Sequence, residues 1–398
     1  MRKNKVLITT IEPVSGGVPS MLRVIIDYLH QRDYDITLAY YSPYSINPKL
    51  SVPVLKLFQR KPSTSRSSFY GCDSVGVGCW LPEFEFTHHW LSDRWQQLIE
   101  QHTLHMTVSG SCLASHPYVQ TNTPFFAWIA TDWLGDRHDR VQSFPMLRRL
   151  IDNVLVKPVV TKIEKKIIAS GNLVALSSYT KLQLNKICSK NKVDHVLSMP
   201  IDTELFKPNK EKIKKNRICF VGRFSDPRKN ISLLLESIAH VLKTVTNLEV
   251  YLIGDSLPSS YHQQVKDLGL TNHLRTCDYM TRDQLANVLP TCDVFVLPSH
   301  QEGLCIAAME AMSCGVPVVS TRCGGPEMFI QQGVNGVLVD SNVQQMSAVI
   351  LQLLTNDHMR LEYSSQARKT IIEKFSKDVQ SRTFDILFDK YRLSVESL

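Results

Sequence analysis

The stretch SHQEGLCIAAMEAMSCGVPVVST, Ser299 to Thr321, sets Glu302 and Glu310 eight residues apart among small and apolar side chains. A segment built for burial that carries two carboxylates needs an explanation. Pro298 closes the apolar run DVFVLPS, which reads as a strand. The residues after Gly303, LCIAAMEAMSC, are helix formers, and Gly315 and Pro317 stop them. This places Glu302 just before a helix N-terminus and Glu310 two turns inside it. Eight residues at ~1.5 Å each span roughly 12 Å, and eight steps of ~100° bring the two side chains to within about 80° of each other. Both then face one elongated ligand. The free N–H groups and partial positive charge of the helix N-terminus suit a phosphate. A ligand with hydroxyls at both ends and phosphate between them has the form of a nucleotide sugar. The alternative is an N-terminal acid plus a partly exposed glutamate on a packed helix.

Upstream, FVGRFSDPRKN puts Arg223 and Lys229 directly after a strand. In a parallel sheet the loops after strand C-termini line the ligand crevice, and two cations there suit a pyrophosphate. The surrounding segments alternate as α/β: RICFVGRF, NISLLLESIAHVLKTV, LEVYLIGD, RDQLANVLPTC, DVFVLPS, VPVVST and GVLV. The N-terminal half repeats the pattern. KVLITTI (Lys5 to Ile11) is a strand, EPVSGGVPS a turn, SMLRVIIDYLHQR (Ser20 to Arg32) a helix and DITLAYY (Asp35 to Tyr41) a strand. LHMTVSG and PFFAWIAT are later strands. GNLVALSSYTKLQLNKIC is a strand followed by a helix capped by Ser177 or Ser178. Residues 42–90 read as a long loop with one or two strands. MPIDTELFKPNKEKIKK, from Met199, reads as a link between two domains. The expected division is 1–200, 201–375, and a terminal helix over 376–398 packing back on the first domain.

A chain of 398 residues exceeds one ordinary core, and 43% hydrophobic with 21% charged residues fits a globular protein. No apolar run reaches about 18 residues, and the N-terminal one is too brief for a signal-peptide core, so a cytoplasmic location is expected. Ten cysteines without CxxC pairs read as free thiols in a reducing compartment, with Cys219, Cys292, Cys305 and Cys314 in apolar surroundings. The net charge of +8 concentrates in KPNKEKIKKNR (Lys207 to Arg217) and in VKPVVTKIEKKIIAS (Val156 to Ser170). The second is an amphipathic helix whose Lys162, Lys165 and Lys166 form either a solvated face or an attraction to an anionic substrate or the inner membrane surface. No basic-aromatic interleaving accompanies these clusters, and no nucleic-acid partner is expected.

Taken together, these motifs resemble retaining glycosyltransferase family 4, the glycosyl transferases group 1. SHQEGLCIAAMEAMSCGVPVVSTRCGGPEMF resembles its E-x7-E signature, VGRFSDPRKN its phosphate-binding loop, PIDTELFKP its interdomain linker and SGGVPSML its N-terminal glycine loop. The resemblance covers residues 200 to 340 well and the N-terminal half thinly. It implies the α/β GT-B fold, two Rossmann-like doubly wound parallel-sheet domains facing across a cleft. It implies that Glu302 contacts the donor hexose, Glu310 the ribose hydroxyls, and Arg223 and Lys229 the departing diphosphate. Backbone N–H groups of Gly303 and Leu304 reach sugar or phosphate, Gly16 and Gly17 approach from the other domain, and the base lies near Tyr279 and Met280. The implied reaction is metal-independent, cofactor-free hexosyl transfer with retention from a nucleotide-diphosphate sugar, UDP-sugar being the commonest, to a glycan, lipid-linked or protein acceptor. One departure stands out. Where many relatives carry a histidine after an N-domain strand, this chain has Thr131 or Asp132, with His116 the nearest alternative. Competing readings are a catalytically silent GT-B subunit binding a glycan or protein partner, and a GT-B nucleotide-sugar epimerase. A phosphorylase lacks the context for a cofactor lysine.

Overall fold

Strand β1, Lys5–Ile11, has five consecutive buried residues, as expected of a parallel strand covered on both faces. In the computed structural model, residues 5–13, 17–142, 144–189, 191–209 and 216–397 are described. The chain divides into two units, Met1–Ser198 with Ser381–Leu398, and Met199–Gln380.

In the first unit, β1 is followed by β2 (Asp35–Tyr41), β3 (Thr64–Phe69), β4 (Cys72–Val77), β5 (Leu104–Ser109), β6 (Phe126–Ile129), β7 (Asn172–Ala175) and β8 (His195–Val196). Their spatial order is β3-β4-β2-β1-β5-β6-β7-β8. All neighbours pair in parallel except β3, which forms an antiparallel hairpin with β4. That hairpin turns on Tyr70 and Gly71, both at positive φ, the geometry of a two-residue turn. It supplies the strands of residues 42–90. The helix after β1 starts at Gly17, three residues before Ser20, and ends at His30. Ser177 is the cap of helix Ser178–Cys188, accepting from the Thr180 N–H. The winding reverses between β1 and β5, so their C-terminal ends open a crevice.

Helix Lys377–Glu396 begins in the second unit and from Ser381 onward belongs to the first. Phe384 packs edge-on to Tyr28 at 4.1 Å between ring centroids. The Tyr391 hydroxyl accepts from the His105 N–H and donates to the His105 carbonyl, both at 3.0 Å, which fastens the helix to β5.

The second unit holds β9 (Arg217–Gly222), β10 (Glu249–Gly254), β11 (Leu274–Cys277), β12 (Val294–Leu297), β13 (Val318–Thr321) and β14 (Gly336–Val339), in the order β11-β10-β9-β12-β13-β14. Every pair is parallel. The reversal here lies between β9 and β12, so the loops after these two strands flank one crevice. Gly254 is required where β10 meets β9, because a Cβ there would lie 1.9 Å from the Gly222 carbonyl oxygen.

The reading of Met199 onward as a link needs correction. Residues 199–209 are packed into the second unit. Phe206 is fully buried, Ile201 bridges Ser376, and the Arg368 guanidinium donates to the carbonyls of Thr203 and Phe206. Proline and lysine content masked an apolar anchor. The remainder of the lysine-rich run, 210–215, lies outside the described residues.

Candidate active site

The loops after β9 and β12 meet. After β9 the chain turns through Arg223 to the short helical turn Pro227–Lys229, capped by Asp226. After β12 it runs Ser299–Glu302, and the His300 N–H donates to the Arg228 carbonyl at 2.7 Å. Lys229 reaches across, its Nζ 2.6 Å from Glu302 Oε1. The same oxygen accepts from the Ser299 hydroxyl at 2.7 Å. Both charged side chains are largely enclosed. Burial works against the Lys229 ammonium, but the Glu302 carboxylate more than offsets it, and the lysine pKa lies above its ordinary value.

Arg223 does not join this pair. It is half-exposed and donates to Asp226 at 3.0 Å. Asp226 also takes Arg228 at 2.8 Å. Burial disfavours the Asp226 carboxylate, yet the two arginines hold its pKa below the usual range.

The helical ruler between the two glutamates fails. The helix begins only at Ile306 and ends at Ser313. Cys305 sits at φ 69°, a left-handed conformation incompatible with a helix starting at Gly303. Glu302 is instead bridged to Gly324. Its N–H donates to the Cys323 carbonyl at 2.7 Å, and its carbonyl accepts from Gly325 N–H at 2.8 Å. Gly303 and Leu304 lie over Gly325 so closely that a Cβ there would be 2.5 Å from Leu304 N. The C-terminal stop is as read: Gly315 adopts φ 75°.

Glu310 lies inside the helix and is buried. Burial drives its carboxyl up to about 7, and Arg282 pulls it only partly back. Arg282 Nε is 3.7 Å from Glu310 and belongs to a half-exposed side chain. Arg282 opens helix Arg282–Val288, capped by Thr281, and Tyr279 and Met280 directly precede that cap. Tyr279 is exposed and Met280 half-buried.

Sequence reasoning missed Arg282, Gly325 and Asp255. The last accepts from the backbone N–H groups of Phe224 and Ser225 and so braces the loop carrying Arg223. The Gly-Gly-Pro run after β13 was the signal for Gly325, since such a run marks close backbone approach.

In the first unit, Thr131 and Asp132 follow β6. Thr131 N–H donates to the Gly110 carbonyl at 2.9 Å, and Asp132 accepts from the Gly135 N–H at 2.8 Å, capping helix Trp133–Gln142. His116 is buried at the start of helix His116–Gln120, and burial pushes its pKa down to about 4, with Lys166 adding to the shift. Gly17 opens its helix with no atom within 4 Å of where a Cβ would stand, while Gly16 lies outside the described residues. Two further groups stand at this edge. Glu164, fully buried, accepts from the Trp133 N–H at 3.1 Å, and burial raises its carboxyl to about 7. His89 is buried, and burial lowers it to about 3.

These two parallel sheets and the paired loops after β9 and β12 define a GT-B protein. Over its whole length the chain is similar to sucrose-phosphate synthase from Thermosynechococcus elongatus, with TM-score 0.73 at 16% identity, covering 99% of this chain and 100% of that one. It is also similar to Anabaena HepE in complex with UDP and glucose, with TM-score 0.70 at 15% identity over 97% of this chain and 100% of that one. Residues 201–370 match the family Glycosyl transferases group 1, which takes in the stretch where the motif resemblance is densest. Among curated proteins it is 29% identical to the MMP alpha-(1->4)-mannosyltransferase of Mycolicibacterium hassiacum over 185 residues, 46% of this chain and 44% of that protein. The match thus spans less than half of that relative's length.

Proposed function

We propose that the chain is a retaining glycosyltransferase that moves a hexose from a UDP-sugar to an acceptor hydroxyl in glycan or glycoconjugate synthesis. The observation that carries this reading is the Lys229–Glu302 pair, 2.6 Å apart between the loops after β9 and β12, inside a group 1 domain. A buried cation beside a carboxylate at a sheet reversal is prepared for a ligand that brings both phosphate and hydroxyls. A neighbour in fold, HepE, was solved with UDP and glucose, which favours UDP as the nucleotide.

In this reading Lys229 turns part of its charge to the diphosphate, with Arg223 beside it, and Glu302 meets the hexose. Glu310 accepts from the ribose hydroxyls, the N–H groups of Gly303 and Leu304 meet sugar or phosphate, and Tyr279 and Met280 flank the base. The bond from the anomeric carbon to the phosphate oxygen breaks as the bond to the acceptor oxygen forms on the same face. The acceptor proton passes to the leaving phosphate oxygen. Negative charge builds on the diphosphate in this step, so fixed cations stabilise the transition state more than the ground state, and they take the role a metal plays elsewhere. The first unit takes the acceptor: Thr131 and Asp132 as hydrogen-bonding groups, and His116 as a neutral imidazole at pH 7. Gly17 lets backbone approach a phosphate. The lysine face at Lys162, Lys165 and Lys166 draws the protein to the cytoplasmic membrane surface, where a lipid-linked acceptor would reside.

The test is incubation of the protein with labelled UDP-hexoses and GDP-mannose, with and without a membrane extract as acceptor source. Enzyme-dependent release of nucleoside diphosphate, with an α-linked product from an α-linked donor by NMR, is expected. Failure to consume any donor under both conditions would contradict the reading.

A further inference from the structure

Two segments of the first unit expose large apolar side chains that nothing in the fold covers. One is the loop around the helical turn Val54–Lys56, where Leu55 and Phe58 are 89% and 103% exposed. The other is the run of helix Met146–Ile151 continuing through Asp152–Val156 into Lys157–Ser170. There Met146, Leu147, Leu150 and Val154 are 60% to 80% exposed. Their spacing, i, i+1, i+4 and i+8, puts them on one helix face.

Glu83 joins the two segments. Its carboxylate accepts from the Val54 N–H at 2.9 Å, and its carbonyl accepts from the Arg148 guanidinium at 2.6 Å. Glu83 thus sets the loop and the helix side by side.

Apart from Glu83, whose carboxylate is taken up by the Val54 N–H, the charges of these two segments at the surface have one sign. Residues 46–61 contain no acid and include Lys49, Lys56, Arg60 and Lys61. Residues 144–170 contain two acids, Asp152 and Glu164, and both are buried, Asp152 against Arg137. Arg149, Lys157, Lys162, Lys165 and Lys166 are exposed. Lys157, Lys162 and Lys165 line a shallow groove of about 580 Å³ on the outer side of the helix. An isolated apolar patch of this kind marks a docking surface. Apolar residues set among unopposed cations match a bilayer, whose anionic headgroups meet the lysines while its acyl region takes the apolar tips. A second copy of the chain is a poor match, because it would set cations against cations.

We propose that Leu55, Phe58, Met146, Leu147, Leu150 and Val154 insert as one wedge into an anionic membrane, with the surrounding lysines and arginines on the headgroups. This extends the membrane contact proposed for the Lys162–Lys166 face, and it stands on different side chains.

The experiment is co-sedimentation of the full chain with phosphatidylcholine vesicles, with and without 30 mol% phosphatidylglycerol, across a salt series. The variants are Leu55→Asn/Phe58→Asn, Leu147→Asn/Leu150→Asn, and Lys162→Glu/Lys165→Glu/Lys166→Glu. All of these side chains are at the surface, and UDP affinity measured in parallel reports on the fold and on the donor site. The expected result is binding at least tenfold tighter to anionic vesicles, partly surviving high salt. Each apolar pair should weaken it about fivefold or more, with UDP affinity unchanged. Wild-type binding by both apolar variants would overturn the wedge, as would purely salt-sensitive binding lost only in the lysine variant. Concentration-dependent dimerisation abolished by the apolar variants, without vesicle binding, would overturn it in favour of a second copy. Vesicle binding needs no sugar donor, so either result leaves the transfer reading to its own assay.

Discussion

At the carboxyl end of β9 and β12, the charged groups are paired within the protein: Lys229 with Glu302, Arg282 with Glu310, Arg223 and Arg228 with Asp226. At the carboxyl end of β1, β5 and β6, unpaired polar atoms predominate, against Gln301 Nε2 beside the β12 loop among the described residues. Thr10 Oγ1, His89 Nδ1, Thr131 Oγ1, Asp132 Oδ1 and Glu164 Oε2 are buried without a hydrogen-bond partner among the described residues. Native proteins seldom leave such atoms unpaired, so each one asks for water or a ligand. The second unit's edge is organised in advance by ion pairs that a diphosphate can exchange for its own contacts. The first unit's edge is organised by its deficit, suited to a hydroxyl-rich partner. In the reading proposed, the second unit's edge is the donor end and the first unit's edge the acceptor end.

The comparison predicts unequal responses to mutation. The largest is kinetic. Lys229→Ala is expected to lower the sugar-transfer rate on the order of 10²- to 10³-fold, as losing one fixed group opposite a developing charge does. A rate within threefold of wild type would break the pairing of Lys229 with the leaving group.

Stability should separate the two arginine and lysine positions. Lys229→Met leaves Glu302 buried beside no cation and should cost about 3 kcal/mol in urea unfolding, with much of it recovered in Lys229→Met/Glu302→Leu. Arg223→Ala, at a half-exposed pair, should stay within about 0.5 kcal/mol. Equal losses at both positions would erase the distinction between the enclosed and the open pair.

Glu310 ties binding to pH. With its carboxyl raised to about 7 by burial, it is mostly protonated at pH 6 and mostly ionised at pH 8. An ionised carboxylate accepts two ribose hydroxyls, so UDP affinity should rise about tenfold from pH 6 to pH 8. Glu310→Gln should flatten that rise in isothermal titration calorimetry.

Glu164 ties stability, rather than binding, to pH. Its folded pKa, about 7, lies above the ordinary carboxyl value of 4.5, so its protonated form is the one the fold favours. Its contribution to stability is full below the unfolded value and declines as pH rises through 4.5 to 7. Glu164→Gln should therefore stabilise at pH 8, on the order of 1 kcal/mol, and leave stability unchanged near pH 4. A gain at pH 4 equal to that at pH 8 would show that titration of this group is not the cause.

How much of this was legible follows from where the residues lie in the chain. The edge after β9 and β12 is carried by two short contiguous stretches, so strand, loop and helix could be placed from Gly315, Pro298 and the apolar runs. What local spacing could not reveal was Cys305 at positive φ, because the segment leading into it, Glu302–Leu304, is laid on Cys323–Gly325, some twenty residues away. The first unit's edge is assembled from β1, the segment around His88 and His89, the end of β6 and a helix at Glu164, four separate pieces with no shared motif. Glu164 did leave a trace. It shares the helical spacing of the buried Val160, Ile167 and Ile168, and a lone acid on an apolar stripe is a buried acid. The lysines around it mark the opposite, exposed face.

The central claim is that Lys229, held by Glu302, grips the diphosphate of a UDP-sugar whose hexose meets Glu302. Calorimetric titration of UDP into wild type and Lys229→Ala at pH 8 tests it most directly. The account predicts saturable one-to-one binding to wild type, weakened at least tenfold in the variant at an unchanged melting profile of the first unit. Equal UDP affinity in the two proteins, or none in wild type, would contradict it.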